Sequence, residues 1–262
     1  MILPKKAALL AVSAVLLFSG CLPPASSRRT ISLSGSASME QVLRALGEDF
    51  TARTGISVEA QFGGSSQGIR DAAEGKADIG CTSRALTAQE QEILEAIPVA
   101  SDYIIPIVHP DNPVPSLTLR QLSGLYTGEI RNWAEVGGTD SPVVAIGRDA
   151  ASGTRAAFEE LLGVSGQCLY AQEKDSAGGI RIAVETTPGA IGYVSLEAAE
   201  EGGKIKRLPL NGEDGEVTLS RLFFMAVPRG KALRDDVREF LDYVHSEEGQ
   251  DVVRSQKLGA VE

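Results

Sequence analysis

The sequence contains few of the side chains that carry metal and enzymatic chemistry. Its 262 residues include two histidines, three cysteines and one tryptophan. No Cys or His spacing fits a zinc site, and no acidic loop fits an EF-hand. Neither a P-loop nor a G-x-G-x-x-G dinucleotide fingerprint occurs. We therefore expect no metal centre and no cofactor.

Basic charge is also scarce. The chain has 25 Lys and Arg against 35 Asp and Glu, for a net charge of −10. Because a phosphate backbone is bound by stripes of basic side chains, nucleic acid is not an expected partner. Hydrophobic residues make up 43% of the chain, with 28 glycines and 12 prolines, which is typical of a globular protein rich in turns.

The N-terminus carries a short apolar run at residues 7–18, which is too short to span a bilayer comfortably. Lys5 and Lys6 precede it, and Ser-Gly-Cys21 follows, an order typical of a secretory signal. The Cys directly after Ser-Gly resembles the lipobox of bacterial lipoproteins. We predict a signal peptide over residues 1–20 and a lipidated Cys21 with a tether over residues 21–29. An ordinary signal peptide that happens to contain a Cys is the alternative.

Strand-like and helix-like segments alternate along the rest of the chain. Apolar residues at helical spacing predict a helix over residues 39–53, with Ser38 as its N-cap. A second helix is predicted from Thr87 to about Ala96. This βαβ order indicates an α/β fold of two lobes, each with a parallel sheet, joined by two crossover strands. We predict lobe I over residues 30–108 and 222–262, and lobe II over residues 109–221.

Such a pair of lobes can open and close around a ligand in the cleft. We expect Cys81 and Cys168 to be unpaired, since a disulfide between the lobes would restrict that motion. The acidic clusters around Glu90 and Glu197 are interpreted as solvated helix faces.

Three loops share one design, with small polar residues directly before a helix. They are residues 35–38 (GSAS), 63–66 (GGSS) and 151–154 (ASGT). A helix N-terminus offers unpaired N–H donors and the positive end of the helix dipole, and hydroxyl groups add further donors. Because each loop follows a predicted strand, we expect the three to converge on a small anion.

Two arginines can supply the opposing charge. Arg148 and Arg84 each follow a predicted strand, beside Ser and Gly. A guanidinium group holds tetrahedral oxyanions through a planar fork of donors. The alternative is that each is an ordinary surface arginine.

Residues 64–68 also match G-x-S-x-G, the nucleophile elbow of serine hydrolases. Ser66 would then be a nucleophile and would need a histidine as its base. Only His109 and His245 are available, one near a crossover and one at the end of a helix. The anion interpretation accounts for three loops and the hydrolase interpretation for one, so we favour a binding protein over an enzyme.

The chain carries six motifs in order: GSAS (35–38), GGSSQGI (63–69), ADIGCTSRAL (77–86), LRQLSGLYTGEIRNWAEVGG (119–138), RDAASGTRAAFEE (148–160) and GAIGYVSL (189–196). Together they resemble the phosphate-binding lipoproteins of bacterial phosphate-specific ABC transporters, over nearly the whole mature chain. The resemblance implies a type II periplasmic-binding-protein fold with phosphate in the cleft. It also implies a monomer, anchored by its lipid outside the cell membrane or periplasmic, that docks on the permease of the importer.

The resemblance assigns the phosphate contacts loop by loop. The residues it implies are Ser36, Ala37, Ser38, Ser65, Ser66, Ser83, Arg84, Arg148, Ser152, Gly153 and Thr154. Ala37 can donate only its backbone N–H. Some relatives carry an Asp at the position of Ser83, which accepts the proton of hydrogen phosphate and helps to reject sulfate. Sulfate, molybdate or tungstate therefore remain alternative ligands.

Overall fold

The computed structural model describes residues 30–212 and 215–261, so the predicted signal peptide, Cys21 and the tether lie outside the described residues. The strands are β1 (Thr30–Gly35), β2 (Ser57–Gln61), β3 (Ile79–Thr82), β4 (Leu94–Val108), β5 (Leu117–Thr118), β6 (Val144–Arg148), β7 (Gln172–Lys174), β8 (Ala190–Ser195), β9 (Lys206–Arg207), β10 (Leu210–Gly212), β11 (Gly215–Val217) and β12 (Leu219–Pro228). The helices are α1 (Glu40–Thr54), α2 (Ser65–Glu74), α3 (Ala88–Ile93), α4 (Leu119–Thr127), α5 (Gly153–Leu161), α6 (Ala177–Thr186), α7 (Leu196–Glu200), α8 (Asp235–His245) and α9 (Glu247–Ser255).

The strands form one large mixed sheet in the order β2-β1-β3-β12-β4-β8-β6-β7, with β9 on β4, and a small sheet in the order β11-β10-β5. β1, β2 and β3 are parallel to one another, as are β6, β7 and β8. β12 and β4 run antiparallel to each other and to these neighbours, β3 and β8. The predicted α/β class is confirmed, and the two crossover strands join both parallel parts into one sheet.

The hydrophobic core is divided at the crossover strands. One cluster contains residues from Ile31 to Ala100 and from Phe223 to Val253. Two further clusters contain only residues between Ile104 and Leu219. We call the part of the chain around the first cluster the first unit, and the part around the other two clusters the second unit. Because β4 and β12 pass from one to the other, the carboxyl ends of β1 and β3 meet those of β6 and β8 near the middle of the sheet.

Two local predictions were wrong. The helix after Thr87 ends at Ile93, because Leu94 to Ala96 pair with Pro228 to Ala226 as the first residues of β4. Pairing with a neighbouring strand outweighs the local helical pattern there. Ser38 is not an N-cap: a 3₁₀ turn over Ala37–Met39 precedes α1, and the Ser38 hydroxyl contacts Ser36 instead.

Both cysteines of the described part of the chain are free thiols, Cys81 buried and Cys168 half-buried. Burial raises the pKa of the Cys81 thiol to about 12, so it stays protonated and inert at neutral pH. Among residues 30–212 and 215–261, no helix is both long enough and apolar enough to cross a membrane.

Candidate anion site

Serine hydroxyls from the ends of β1 and β3 and the start of α2 lie together. The Ser36 hydroxyl donates to Ser83 Oγ at 2.9 Å, and the Ser65 and Ser83 hydroxyl oxygens are 3.3 Å apart. The backbone N–H of Ser83 donates to Ser65 Oγ at 3.1 Å. None of the three residues is more than 2% exposed. The predicted loops of the first unit therefore form one buried hydroxyl cluster.

Gly35 allows the end of β1 to approach β3 closely. Gly35 has a φ of 151°, and a side chain there would overlap the carbonyl group of Cys81 in the neighbouring strand. The Ser36 N–H donates to that same carbonyl oxygen at 2.9 Å. Gly35 thus lets β1 end directly against β3, and it brings Ser36 beside Ser83.

The third loop reaches this cluster from the second unit. The Thr154 hydroxyl donates to Ser38 Oγ at 3.3 Å, and the Ser66 N–H points to the carbonyl oxygen of Ala151 at 3.4 Å. A methyl group on Gly153 would lie 2.5 Å from Ser83 Oγ and closer still to Ser65 Oγ. The two units are therefore in contact across the cleft.

The start of α5 supplies donors to the same place. Ser152 is the N-cap, and its hydroxyl oxygen accepts the N–H of Arg155 at 3.4 Å. The N–H groups of Gly153 and Thr154 belong to the first turn, where an α-helix has no internal acceptors for them. Together with the helix dipole they favour an anion at this end.

Arg148 ends β6 beside these donors and is 5% exposed. Its Nε donates to the carbonyl oxygen of Lys174 at 3.3 Å, and one Nη donates to that of Asp175 at 2.8 Å. Burial lowers the pKa of the Arg148 guanidinium, and the charge of Asp149 opposes that change. Arginine nevertheless stays protonated in proteins, so the site contains a fixed positive charge.

A buried polar network contacts the backbone of Arg148. The Tyr193 hydroxyl oxygen accepts the backbone N–H of Arg148 at 3.3 Å and lies 3.2 Å from the hydroxyl of Tyr170. Tyr170 donates to Glu159 at 3.0 Å, and Arg155 donates both to Glu159 and to the carbonyl oxygen of Arg148. Arg155 and Glu159 lie in the same motif as Arg148, whereas Tyr193 is 45 positions away, so only the fold shows that the tyrosines support Arg148.

A cavity of about 340 Å³ opens between the two units above this site. It is lined by Ala37, Ser38, Arg148, Thr154, Tyr193 and several other residues. The carboxylates of Glu40 from the first unit and Glu197 and Glu201 from the second also line it. Burial, followed by the charges of Glu201, Asp102 and Glu40, raises the pKa of Glu197 to about 7. Glu197 is therefore half-buried at the cavity, whereas Glu200 and Glu201 of the same predicted helix face are exposed.

This shift predicts a pH-dependent stability. A raised pKa means that folding favours protonated Glu197, so the contribution is complete below the usual value of 4.5 and is lost as the pH rises through about 7. We expect Glu197→Gln to unfold at the same temperature as the parent at about pH 4, and at a higher temperature than the parent at about pH 8. Thermal unfolding of the ligand-free protein measures this. Exposed Glu92 provides the control substitution, and an equal gain at both pH values for Glu197→Gln would contradict the expectation.

Arg84 does not join the cluster. Its guanidinium forms two hydrogen bonds of 2.8 Å with the carboxylate of Glu90 and a third with the carbonyl oxygen of Ala85. Glu90 is also part of the N-terminal capping box of α3, so the pair fixes the loop after β3. A direct contact between Arg84 and an anion stays a prediction, and the charge of Arg84 is already balanced.

The alternative nucleophile Ser66 has no histidine beside it. The ring nitrogens of His245 lie 2.9 Å and 2.8 Å from the carbonyl oxygens of Leu241 and Pro98. His109 Nδ1 accepts the N–H of Asp111 at 3.2 Å. No contact joins either imidazole to Ser66 in the described residues. These residues likewise contain no group of three His, Cys, Asp or Glu that could hold a metal ion.

Comparison with known proteins identifies the family. Residues 23–248 match the profile of the PBP superfamily domain. The chain is 28% identical over 233 residues to the phosphate-binding protein PstS of Bacillus subtilis, an alignment that covers 84% of this chain and 77% of the relative. It is 28% identical over 250 residues to PstS of Borreliella burgdorferi, covering 87% and 88%.

Solved structures agree with the sequence comparison. A Clostridium perfringens protein assigned as a phosphate ABC transporter substrate-binding protein, with bound phosphate, superposes with a TM-score of 0.80 at 34% identity, covering 89% of this chain and all of that one. An ABC-type phosphate transport receptor of Vibrio cholerae gives a TM-score of 0.74 at 29% identity, covering 88% of this chain. The chain therefore belongs to the PBP superfamily and, within it, to the PstS-type substrate-binding proteins.

Proposed function

We propose that this protein captures inorganic phosphate between its two units and delivers it to an ABC importer. The observation that carries the proposal is the convergence of hydroxyl groups and helix N–H donors from both units beside buried Arg148. Such donors match the oxygens of a tetrahedral anion. The relatives named for phosphate binding support the same ligand. Binding without catalysis fits the absence of a contact between Ser66 and either histidine in the described part of the chain.

The proposed mechanism is stabilisation of the closed cleft. Phosphate would contact the serine cluster of the first unit and α5 and Arg148 of the second at the same time. An anion that makes contacts with both units only when they are closed shifts the population towards the closed form. The closed form is the one we expect the permease to recognise. We propose units with the predicted boundaries, residues 30–108 with 222–262 and residues 109–221.

The donors at the site must attract an anion although the whole chain has a net charge of −10. Charges farther away than about 8–10 Å are largely screened at physiological salt, whereas Arg148 and the start of α5 lie at the site itself. We therefore infer that the overall acidity slows the approach of the anion only weakly.

The same proposal places the protein outside the cell membrane. The signal-like residues 1–20 and the Cys21 motif support export and attachment through a lipid, or release into the periplasm. Mass spectrometry of the purified mature chain tests this. A diacylglycerol on an N-terminal Cys21 supports the anchor, and an unmodified thiol at residue 21 contradicts it.

Another tetrahedral oxyanion is the second candidate ligand, because Ser83 supplies a hydroxyl group rather than a carboxylate. Isothermal titration of the ligand-stripped protein distinguishes the two. We expect heat from phosphate that persists in excess sulfate, molybdate or tungstate. Loss of that heat in the presence of excess sulfate would overturn phosphate as the ligand.

Substitutions of two adjacent serines distinguish the binding function from the hydrolase alternative. Ser65 is fully buried against Ser83, whereas Ser66 is half-buried. We expect Ser65→Ala to weaken phosphate binding by about tenfold, and Ser66→Ala by less than about twofold. Titration of the two variants measures the difference. Ester hydrolysis that disappears in Ser66→Ala would instead support the hydrolase alternative.

A further inference from the structure

An ion pair joins the two units outside the crossover strands. Lys257, just after α9, donates to the carboxylate of Glu200 at the end of α7. Lys257 lies between Val253 and Leu258, which pack in the core of the first unit. α7 packs in the core of the second unit through Ala199. The pair therefore requires the two units to lie close together.

The pair lies along the same boundary between the units as the anion site. Gln41, Glu197 and Glu201 line both the cavity above that site and a smaller cavity of about 260 Å³. Lys257 and Glu200 line the smaller cavity. The ion pair is thus one cavity away from the anion donors and does not reach the anion itself.

Glu200 is held in place by its own unit. Arg207 of β9 donates to the carbonyl oxygen of Ala199 at 3.4 Å and 3.3 Å, and one of its nitrogens lies 3.6 Å from the Glu200 carboxylate. The hydrogen bond from Lys257 lowers the pKa of Glu200, so the carboxylate is charged at neutral pH. The second unit therefore presents a fixed negative charge to Lys257.

The backbone at Lys257 has a conformation that favours glycine. Of the residues that the structure describes, Lys257 is the only one other than glycine with a positive φ, of 60°. Its N–H donates to the carbonyl oxygen of Arg254 at 3.0 Å and ends α9, at a position that glycine commonly occupies. Two hydrogen bonds of 2.8 Å and 2.9 Å between Ser101 and Gly259 then fix the chain on β4. A side chain makes such a turn less stable, so the turn itself does not explain a lysine.

We propose that Lys257 and Glu200 form a contact that stabilises the closed cleft and thereby strengthens phosphate binding. This inference rests on the proposed function and assigns part of the affinity to residues that do not touch the anion. An interaction present only in the closed form shifts the population towards that form. Because Lys257 is 68% exposed, water and salt weaken the pair, and we expect an effect of about threefold on the dissociation constant.

The substitution Lys257→Met tests the charge. It removes the ammonium group and keeps an apolar stem. We expect the dissociation constant for inorganic phosphate, from isothermal titration at low salt, to rise about threefold. That difference from the parent should disappear in about 1 M NaCl, where the screening length is about 3 Å.

Lys76→Met is the matched control. The Lys76 side chain is 67% exposed and pairs with Glu74 of the same unit, so this variant loses an equally exposed ion pair that does not join the units. We expect its dissociation constant for phosphate to stay within about 1.5-fold of the parent value.

Glu200→Gln tests whether the two residues act together. The amide oxygen can still accept from Arg207, so the local structure of α7 is kept. We expect this variant alone to bind phosphate about threefold more weakly, and its combination with Lys257→Met to bind no more weakly than either single variant.

Lys257→Gly separates closure from stability. Glycine fits the positive φ, so we expect the ligand-free variant to unfold at or above the parent temperature while it binds phosphate about threefold more weakly. A residue that only stabilised the end of α9 would change the unfolding temperature and leave the phosphate affinity unchanged.

The outcomes are distinct. Parent-like phosphate affinity in Lys257→Met, or losses that multiply in the double variant, overturns the role of the pair and leaves the anion site in place. An equal loss in Lys76→Met also overturns it, because the effect would then come from overall charge. If the parent binds no phosphate, the proposed function itself fails, and this inference fails with it.

Discussion

Replacing Arg148 by alanine is expected to weaken phosphate binding by roughly a hundredfold or more, because a buried hydrogen-bonded charge at an interface is worth about 2–5 kcal/mol when its partner is lost. Arg148 is 5% exposed and is oriented by two carbonyl oxygens, of Lys174 and Asp175. Its charge is therefore held in place before the anion arrives. Isothermal titration of the variant against the parent measures the loss.

The controls for Arg148 are two other arginines. Arg238→Ala removes the same charge from a side chain that is 56% exposed on α8. We expect it to leave the dissociation constant within about twofold. Arg84→Ala removes the guanidinium that Glu90 already holds, and we expect a change of less than about threefold. Equal losses in Arg148→Ala and Arg84→Ala would show that the countercharge is assigned to the wrong loop.

Gly153→Ala is expected to reduce phosphate affinity by a similar factor, on the order of a hundredfold, through packing rather than charge. The added methyl group would lie 2.5 Å from Ser83 Oγ and closer to Ser65 Oγ, so the two units cannot approach as they do here. Small-angle scattering with saturating phosphate should then detect a more open molecule than the parent. Titration gives the affinity.

Gly178→Ala is the matched control for this substitution. Gly178 lies in the first turn of α6, as Gly153 does in α5, and nothing lies within 4 Å of an added methyl group. We expect unchanged affinity and a gain in stability of up to about 1 kcal/mol from the higher helix propensity of alanine. Unchanged affinity in Gly153→Ala as well would mean that phosphate does not require this contact between the units.

Much of the site could be predicted because the local chain determines it. Each of the three loops places small hydroxyl residues between the end of a strand and the start of a helix. Parallel strands bring the loops that carry Ser36 and Ser65 to one edge of a sheet, and the predicted cleft between two lobes places Thr154 opposite them. The structure brings these loops together, and their contacts with phosphate stay predictions.

Other features depend on which of several possible contacts a residue makes in the folded chain. Nothing near Arg84 indicates whether its guanidinium reaches the cleft or pairs with Glu90. Glu197 of α7 lines the same cavity as Glu40 of the other unit, which its neighbours in sequence do not indicate. The first residues of β4 have the sequence pattern of a helix, and only their pairing with β12 shows that they form a strand. In each case tertiary contacts decide between local alternatives of similar energy.

The buried ion pair between Asp102 of β4 and Arg221 of β12 could not be predicted from the sequence for the same reason. Each residue lies in an apolar strand without a motif around it, and 119 positions separate them. Only the antiparallel register of β4 and β12 brings them together.

The most direct test of the central claim is a crystal structure of the protein grown with saturating phosphate. We predict one tetrahedral anion between the two units, with its oxygens about 2.7–3.1 Å from the Arg148 guanidinium, the start of α5 and the serine hydroxyls of the first unit. A phosphate bound elsewhere, or an empty cleft under these conditions, would contradict the account.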